Sequence, residues 1–445
     1  MCTAYSNETF EWRMKIKKEY GDILSFMQSA RKKKILVVGD ILLDEYMYCC
    51  VNGVSSSIKI PVLTKQNTFL ALGGAANIAA NVSSFSDDVK IWGEIGNDST
   101  GEIIIKLLRE KNIKFIGEIN KTETISKKRI YIDTEQVVRI DSPRKASRES
   151  HSNSISDDTL LESDVVIFAD YGYGTISQSL LTRAKKKSRM LIFTSRDIRM
   201  FNTNDIPIII SNENELKCKM NPLSSRIDPK NIMHGERFFI TRGASGISYQ
   251  DRNDSIDSPA LKCAINNVTG AGDSVCAIVA AFFENDISRP LLLQLANIAG
   301  AIAAEDVQTC TVDAESLIKR YFEEMVKIDA DYKIINSEIA RILKEKWRAE
   351  GYKTMISSWT CCDSLRLFVE NCVRKKRHYG KLLIDMTSLT KNEKAKCKNE
   401  DPYRLVKFFD CIDGVIASET DETSSTHRGH SSTPTSRPKK RKMIN

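Results

Sequence analysis

The stretch VTGAGD, Val268 to Asp273, combines two glycines with one carboxylate directly before a long apolar run. The backbone amides of Gly270, Ala271 and Gly272 could hold a phosphate over the N-terminus of the helix that follows. Asp273 would then stand beside that phosphate as a base. A structural alternative is equally open, in which the glycines only form a tight turn and Asp273 stabilises the first turn of a buried helix.

Other groups suited to phosphate or sugar chemistry follow apolar runs elsewhere in the chain. Asp40 closes the first such run, and a Gly-Gly turn in LGGAANIAANV lets the backbone and Asn77 approach a ligand closely. Asn212 and Glu215 are spaced i and i+3, which suits a hydrated Mg²⁺ on one helix face. TRGASG, Thr241 to Gly246, is a glycine turn able to lie against a nucleotide. Each signal is weak alone, but in this order, at the ends of predicted strands, they are strong together.

The elements that must position these groups are short apolar runs separated by helix-like periods. Buried, β-branched runs of this kind predict a parallel sheet in a doubly wound α/β domain. The predicted strands are Lys34–Asp40, Val89–Gly96, Asp164–Asp170, Met190–Thr194, Pro207–Ser211 and Arg237–Thr241. Segments in which polar and apolar residues alternate predict a small antiparallel β lid; they are Ile58–Lys65, Lys127–Asp133 and Gln136–Asp141.

A second series of helices and strands begins near residue 334 and predicts a smaller C-terminal α/β unit. We expect an N-terminal extension over residues 1–33, a first domain over 34–330, the second over 334–418 and a disordered tail over 419–445. The basic cluster at residues 438–442 of that tail resembles a nuclear localisation signal that an import receptor could bind. A merely solubilising tail is the alternative.

Composition and charge exclude several classes of protein. The 445 residues carry a net charge of +8, but the basic residues stand in separate runs without interleaved aromatic residues, so nucleic-acid binding is not favoured. The 12 cysteines form no CxxC pair, and the five histidines show no ligand spacing. No apolar segment has the length of a signal peptide or a membrane span. We therefore expect an intracellular protein, in the nucleus or the cytoplasm, without a membrane partner.

The combined motifs resemble the ribokinase-like (PfkB) carbohydrate kinases over roughly Lys34 to Val312. The stretches that carry the resemblance are GGAAN, GNDSTG, SNENE, TRGASG, VTGAGD and LANIAG. Within that family the chain is similar to the bifunctional heptose 7-phosphate kinase/heptose 1-phosphate adenylyltransferases, through VVGDILLDEYMY, TISKKRIYIDTEQVVRID and ADYGYG. The resemblance implies an ATP- and Mg²⁺-dependent kinase for a sugar or sugar phosphate, with a heptose 7-phosphate as the expected acceptor. A homodimer through the β lid is a partner that the sequence leaves open.

The resemblance also implies a role for each motif residue. Asp273 would be the general base, and the amides of Gly270, Ala271 and Gly272 would hold charge on the transferred phosphoryl group. Glu215 and Asn212 would organise Mg²⁺ through water. The residues expected around the nucleotide are Asn212, Thr241, Gly243, Gly246 and Asn297. Those expected around the sugar are Asp40, Gly73, Gly74, Asn77 and Asp170.

Four places depart from the family's motifs. Asn267 stands where the base motif begins with Asp, which would weaken a nearby monovalent-cation site. GVSSS at residues 53–57 replaces the lid motif Arg-Ile-Ser-Pro-Glu, and Tyr173 replaces a lysine. Thr194 and Arg196 replace an Asp and a Lys. These departures bear on the choice of sugar more than on phosphoryl transfer, and they leave a second hypothesis open: a decayed kinase that binds sugar, nucleotide or protein without turnover.

The resemblance continues into the second unit, where a nucleotidyltransferase needs a His-x-Gly-His turn to hold nucleotide phosphates. The corresponding stretch, Ser357 to Phe368, contains neither histidine nor glycine. We therefore predict that adenylyltransferase activity is lost and that this unit serves packing or partner binding.

Overall fold

The computed structural model describes residues 22–328 except 56, 59, 134, 144–154, 205, 217–219, 222–225, 228–231, 233–235 and 284–286. Further along, it describes residues 334–335, 344, 348, 353–358, 374, 380–385 and 414–416. The chain divides into two compact units, one of Lys17–Tyr321 and one of Met1–Ile16 with Phe322–Asn445. Among the described residues, no helix is long and apolar enough to cross a membrane.

The elements of the first part of the chain alternate between strands and helices. In chain order they are α1 (22–31), β1 (Lys34–Gly39), β2 (Ile41–Val54), β3 (Pro61–Gly74), α2 (Ala75–Val82), β4 (Asp88–Trp92), β5 (Glu94–Gly96), α3 (Ser99–Glu110), β6 (Lys114–Phe115), β7 (Glu118–Asn120), β8 (Ile125–Ile132), β9 (Glu135–Asp141), α4 (Asp157–Glu162), β10 (Val165–Asp170), α5 (Gln178–Lys187), β11 (Leu191–Ser195), β12 (Ile208–Asn212), α6 (Glu213–Leu216), β13 (Met220–Asn221), β14 (Arg226–Ile227), β15 (Arg237–Thr241), β16 (Ile247–Gln250), β17 (Ser255–Ser258), α7 (Ala271–Phe282), α8 (Arg289–Glu305) and α9 (Ala314–Ile328).

A nine-stranded sheet forms the centre of this unit, in the order β17-β16-β15-β12-β11-β10-β1-β4-β6. From β6 to β15 neighbouring strands pair in parallel, whereas at one edge β16 pairs in antiparallel fashion with both β15 and β17. Strands such as β10, VVIFAD, are buried along their whole length, as a sheet covered on both faces requires. The structure thus confirms the predicted doubly wound, mostly parallel fold of the ribokinase type.

A second sheet of four strands, β3-β2-β8-β9, forms the lid. β2 pairs with β3 and β8 with β9 in antiparallel fashion, whereas β2 and β8 pair in parallel. The lid was predicted as purely antiparallel, and its strand β2 was not predicted at all. β2 follows β1 after Asp40 alone and carries apolar residues on both faces of its first half, so no alternation marks it in the sequence.

Helix α1 belongs to the first unit, although the sequence places it in an N-terminal extension. Ile23, Met27 and Ala30 are buried and lie on one helix face because they are spaced four and three residues apart. Helix α1 therefore packs as part of the compact unit that contains the nine-stranded sheet. The domain boundaries themselves stay predictions.

The second unit contains a four-stranded parallel sheet in the order β18 (Ile334–Ile335), β21 (Gly414–Ile416), β20 (Gly380–Asp385) and β19 (Lys353–Ser358). These strands agree with the second series of helices and strands that the sequence predicts from near residue 334. The predicted helices between them lie outside the described residues apart from isolated positions, as does most of the stretch 357–368. The nucleotidyltransferase-like character of this unit therefore stays a prediction, as does the role of the tail 419–445, which also lies outside the described residues.

Candidate active site

The turn before α7 has the geometry of an anion cradle. Gly270 caps the helix with φ 86°, a left-handed conformation that favours glycine, and no side chain caps the helix. The backbone N–H of Ala271 donates to Val268 O at 3.4 Å, and helix geometry leaves the next N–H groups of the first turn to water or a ligand. A Cβ added at Gly272 would meet nothing within 4 Å, so there is open space beside the turn. The tight turn predicted by the structural alternative is therefore present. The same turn leaves room for a phosphate, so the anion-cradle hypothesis still stands.

The Asp273 carboxylate is half-buried and is held from two sides. Asn77 Nδ2 donates to Asp273 Oδ2 at 2.7 Å, and the hydroxyl of Tyr171 donates to Oδ1 in a short hydrogen bond. Burial raises the pKa of Asp273 to about 6, and the bonds from Tyr171 and Asn77 oppose that rise. The group is consequently ionised at neutral pH and basic enough to accept a proton from a substrate hydroxyl.

The orientation of the Asn77 side chain is determined by its neighbour one helical turn on. Asn81 Nδ2 donates to Asn77 Oδ1 at 3.2 Å, so Asn77 must turn its NH₂ group toward Asp273. Asn81 Oδ1 in turn accepts from Ser274 Oγ at 3.1 Å. Side-chain hydrogen bonds of Asn77 and Asn81 therefore connect helix α2 to the start of helix α7, next to Asp273.

The glycines before α2 allow this close approach. A Cβ added at Gly73 would lie 2.2 Å from Leu42 Cδ1, and one added at Gly74 would lie 2.5 Å from the carbonyl oxygen of Asp40. Gly74 also has φ 59°. Both predicted site glycines are thus needed for packing against β2, and a contact of their backbone with sugar stays a prediction.

Asp40 is fully buried and organises the loop after β10. Its Oδ2 accepts from the backbone N–H groups of Tyr171 at 2.7 Å and Tyr173 at 3.1 Å, and its Oδ1 accepts from Thr175 N at 3.1 Å. Asp170 acts on the same loop, because its Oδ1 accepts from Gly172 N at 3.3 Å, while its Oδ2 accepts from Ser195 Oγ of β11 at 2.7 Å. Both acids were predicted to bind sugar, and their observed partners are protein groups, so sugar contact stays a prediction.

Tyr171 is a site residue that sequence reasoning missed. Burial and the charge of Asp273 raise the pKa of Tyr171 well above its usual value, so the hydroxyl keeps its proton and acts as a donor. The available signal was its place in ADYGYG, a tyrosine beside glycines directly after a strand that ends in a predicted site acid.

The lid contributes charged groups that were also missed. Arg129 Nη1 lies 2.5 Å from Asp44 Oδ1, and both side chains are almost fully buried. The Lys127 ammonium lies 5.7 Å from the ring centroids of both Tyr171 and Tyr173. Burial lowers the pKa of Lys127, while Asp44 opposes that effect. A positive charge therefore lies beside Tyr173, which stands at the place of the family's lysine.

The predicted magnesium residues come together as expected from their spacing. Asn212 Oδ1 accepts from Glu215 N at 3.0 Å, and Glu215 Oε2 accepts from Asn212 N at 3.0 Å, which is a capping box at the start of α6. Asn212 pairs in register with Thr241 of β15. Within the described ranges no three His, Cys, Asp or Glu residues cluster to hold a metal. A magnesium ion would here rest on one carboxylate, water and phosphate, which Mg²⁺ accepts readily.

The predicted nucleotide loop follows β15. Gly243 has φ 52° with open space beside it, and Gly246 has φ 94° with room only for hydrogen, because an added Cβ would lie 2.1 Å from Ser258 O. Asn297 Nδ2 donates to Ser258 O at 3.0 Å and to Pro259 O at 3.0 Å. Asn297 thus holds the loop that packs on Gly246, and its contact with a nucleotide stays a prediction.

Known proteins match this chain in sequence and in fold. The model of the pfkB family carbohydrate kinases matches residues 32–316. The bifunctional protein HldE of Magnetococcus marinus is 25% identical over 419 residues, covering 88% of this chain and 86% of that protein. The HldE of Trichlorobacter lovleyi is 26% identical over 426 residues, covering 89% of this chain and 86% of that protein.

Solved structures share the fold of the first part of the chain. Phosphofructokinase-2 from Escherichia coli, in complex with potassium, has a TM-score of 0.53 at 16% identity and covers 66% of this chain and 99% of its own. Ribokinase from Arabidopsis thaliana, complexed with ribose and ATP, has a TM-score of 0.52 at 17% identity and covers 65% of this chain and 99% of its own. At these identities the likeness concerns the fold alone.

Proposed function

The chain belongs to the pfkB family of carbohydrate kinases, and we propose that it transfers the γ-phosphoryl group of ATP to a sugar phosphate with Asp273 as the general base. The observation that carries the proposal is the Asp273 carboxylate, ionised at neutral pH, in the first turn of a helix that no side chain caps. The acceptor that we propose is the anomeric hydroxyl of D-glycero-D-manno-heptose 7-phosphate. The HldE relatives, which align along most of this chain, support that choice.

In the proposed reaction, Asp273 takes the proton of the acceptor hydroxyl as its oxygen attacks the γ-phosphorus of ATP. The bond between the γ-phosphorus and the bridging oxygen breaks, and ADP leaves with the electron pair. The N–H groups of residues 270–272 stabilise charge on the transferred group. Magnesium, when bound, would neutralise part of the phosphate charge, and Glu215 and Asn212 would hold it through water.

An anionic acceptor is supported by the charges on the lid side of the site. Lys127 has Arg196 and Arg139 as cationic neighbours, and Asp44 and Asp141 as anionic ones. These five side chains sum to a net positive charge. A distal phosphate on the sugar would compensate that charge, whereas a neutral sugar would not.

The proposal is tested by ATP consumption against a panel of free sugars and their phosphates, including D-glycero-D-manno-heptose 7-phosphate. We expect turnover with a phosphorylated sugar and none with Asp273→Asn. Asp88→Asn is a matched control, because Asp88 is exposed at the start of β4. Thermal stabilisation by ATP and the sugar phosphate without product would instead support the decayed-kinase alternative. Turnover at parental level in Asp273→Asn would exclude the assigned base.

For the second unit we propose that it transfers no nucleotide to a sugar 1-phosphate. The basis is the absence of histidine and glycine from the stretch Ser357 to Phe368. Pyrophosphate release from ATP that depends on added heptose 1-phosphate would contradict it.

For the tail we propose an addressing role for residues 438–442, which lie outside the described residues. The test is to fuse the full chain to a fluorescent reporter in a eukaryotic cell and to compare its nuclear and cytoplasmic signals with those of a variant. In the variant, alanine replaces Lys439, Lys440, Arg441 and Lys442. Equal nuclear and cytoplasmic distributions of the two fusions would leave the tail with a solubilising role only.

A further inference from the structure

Two loops beside the base motif are joined directly by protein hydrogen bonds. The backbone N–H groups of Asn266 and Asn267 donate to Ala304 O at 2.9 and 3.1 Å. Asn266 Nδ2 donates to Glu305 O at 2.7 Å, and Asn267 Nδ2 donates to Val307 O at 3.3 Å. The segment before the cradle turn is thus attached to the chain that leaves α8.

The orientation of the Asn267 amide follows from its partners. Its Oδ1 accepts from Thr269 N at 2.9 Å, and the carbonyl oxygen of Val307 can only accept. A flipped amide would set NH₂ against the Thr269 N–H and oxygen against the Val307 oxygen. The NH₂ group therefore points at Val307 and at the Tyr46 hydroxyl, which lies 3.3 Å away.

The buried hydroxyl of Tyr46 completes this network. It accepts from Asn267 Nδ2 and, at 3.0 Å, from Thr309 N, so its own proton goes to Thr309 Oγ1 at 2.6 Å. Thr309 also borders the cradle, because its Cγ2 lies 3.4 Å from the position of a Cβ built on Gly270. All these groups are neutral, and the N–H and O–H groups named have partners.

A monovalent cation at this place would need oxygen lone pairs, together with a negative charge to offset its own. The residues do not fit such an ion. Asn267 carries no charge, and its NH₂ group occupies the approach to Val307 O that a cation would use. Oxygen ligands for a cation and N–H donors compete for the same lone pairs.

We infer that the amide of Asn267 takes the place of a monovalent cation in this protein. Its hydrogen bonds hold the loop after α8 against the cradle turn, so that potassium contributes neither to stability nor to turnover. The turnover readout rests on the proposed kinase function, whereas the stability readout does not.

The test compares the full chain with Asn267→Asp and with the control Asn266→Asp. Thermal unfolding and ATP turnover are measured in potassium chloride and in tetramethylammonium chloride at equal ionic strength. For the parent we expect the same Tm and the same rate in both salts. Asn267→Asp places a carboxylate oxygen next to Val307 O, so Tm and turnover should both fall in the absence of potassium, turnover by about tenfold or more. Added potassium should recover part of the lost Tm and part of the lost turnover rate.

Asn266→Asp loses a similar hydrogen bond away from the motif position, and its Tm should be equally lowered in both salts. A parental Tm that rises with potassium would overturn the inference, whether or not Asn267→Asp folds. A folded Asn267→Asp variant with the same Tm in potassium chloride and in tetramethylammonium chloride would also overturn the inference. A parent without kinase activity whose Tm is indifferent to potassium would leave this inference standing and remove the proposed function.

Discussion

The two sides of the candidate site are built differently. The transfer side, formed by residues 270–273 with Asn77 and Tyr171, holds one carboxylate between neutral donors beside an open turn. The acceptor side, formed by Asp44, Lys127, Arg129 and Tyr173, is an ion pair and a lysine over aromatic rings. The transfer side contains the residues of its motif, and on the acceptor side a lysine from another strand lies beside Tyr173, which stands at the place of the family's lysine. Under the proposed function, the two sides separate the transfer chemistry from the choice of acceptor.

The largest effect should come from the transfer side. Asp273→Asn removes the proton acceptor but none of the predicted nucleotide contacts, so kcat should fall by about 10²–10⁴. ATP affinity, measured by calorimetry, should change no more than a few-fold. A large loss of ATP affinity would show that the two functions are not separable at Asp273.

A smaller effect, specific to the acceptor, should come from Lys127→Met. If a distal phosphate faces this ammonium, kcat/KM for the sugar phosphate should fall by about 10–100-fold, the range of a charge-assisted hydrogen bond. Residual turnover of the free sugar should not change. Lys128→Met is the matched control, because Lys128 follows on the same strand and lies 3.4 Å from Glu45. Equal losses for both acceptors would place Lys127 outside the acceptor side.

The pH dependence of kcat/KM should report the pKa of Asp273. Because the pKa of Asp273 is raised to about 6 and the reaction needs its ionised form, activity should fall as pH drops through that value. Tyr171→Phe removes a donor that lowers this pKa, so the midpoint should move to higher pH by about one unit. A purely structural role of Tyr171 would lower the rate without moving the midpoint.

The smallest effect on catalysis should come from the outer surface of the lid. Val54, Ile58 and Ile140 are 63%, 67% and 55% exposed, and an interface through the lid would bury such apolar side chains. A homodimer through the lid predicts twice the monomer mass in sedimentation, and Val54→Ser with Ile140→Lys should lower the dimer fraction. A parent that sediments as a monomer at all accessible concentrations would contradict the dimer.

Local patterns were sufficient to predict the cradle turn with Asp273 and the pair Asn212 and Glu215, but not Tyr171. A glycine turn, the start of a helix and an i, i+3 pair involve neighbouring residues, so VTGAGD and SNENE could be interpreted from spacing alone. The lid was harder to predict, because the alternation of polar and apolar residues over Lys127–Asp133 does not show that the face with Lys127 and Arg129 is the buried one. In β8 that face turns inward, since Arg129 can neutralise Asp44 there.

By itself, the sequence determined the parallel sheet, the cradle turn and the place of Asp273 at the start of a helix, because buried strands and helix starts follow from residues close together in the chain. Only the tertiary structure decided what surrounds Asp273. Tyr171 reaches Asp273 across 102 residues, and Asn77 reaches it across 196. The family resemblance assigns Asp40 to sugar, and the structure adds that its carboxylate binds the loop that carries Tyr171. Hydrogen bonds between residues so far apart in the sequence depend on how the strands and helices pack, and the local spacing of residues does not determine that packing.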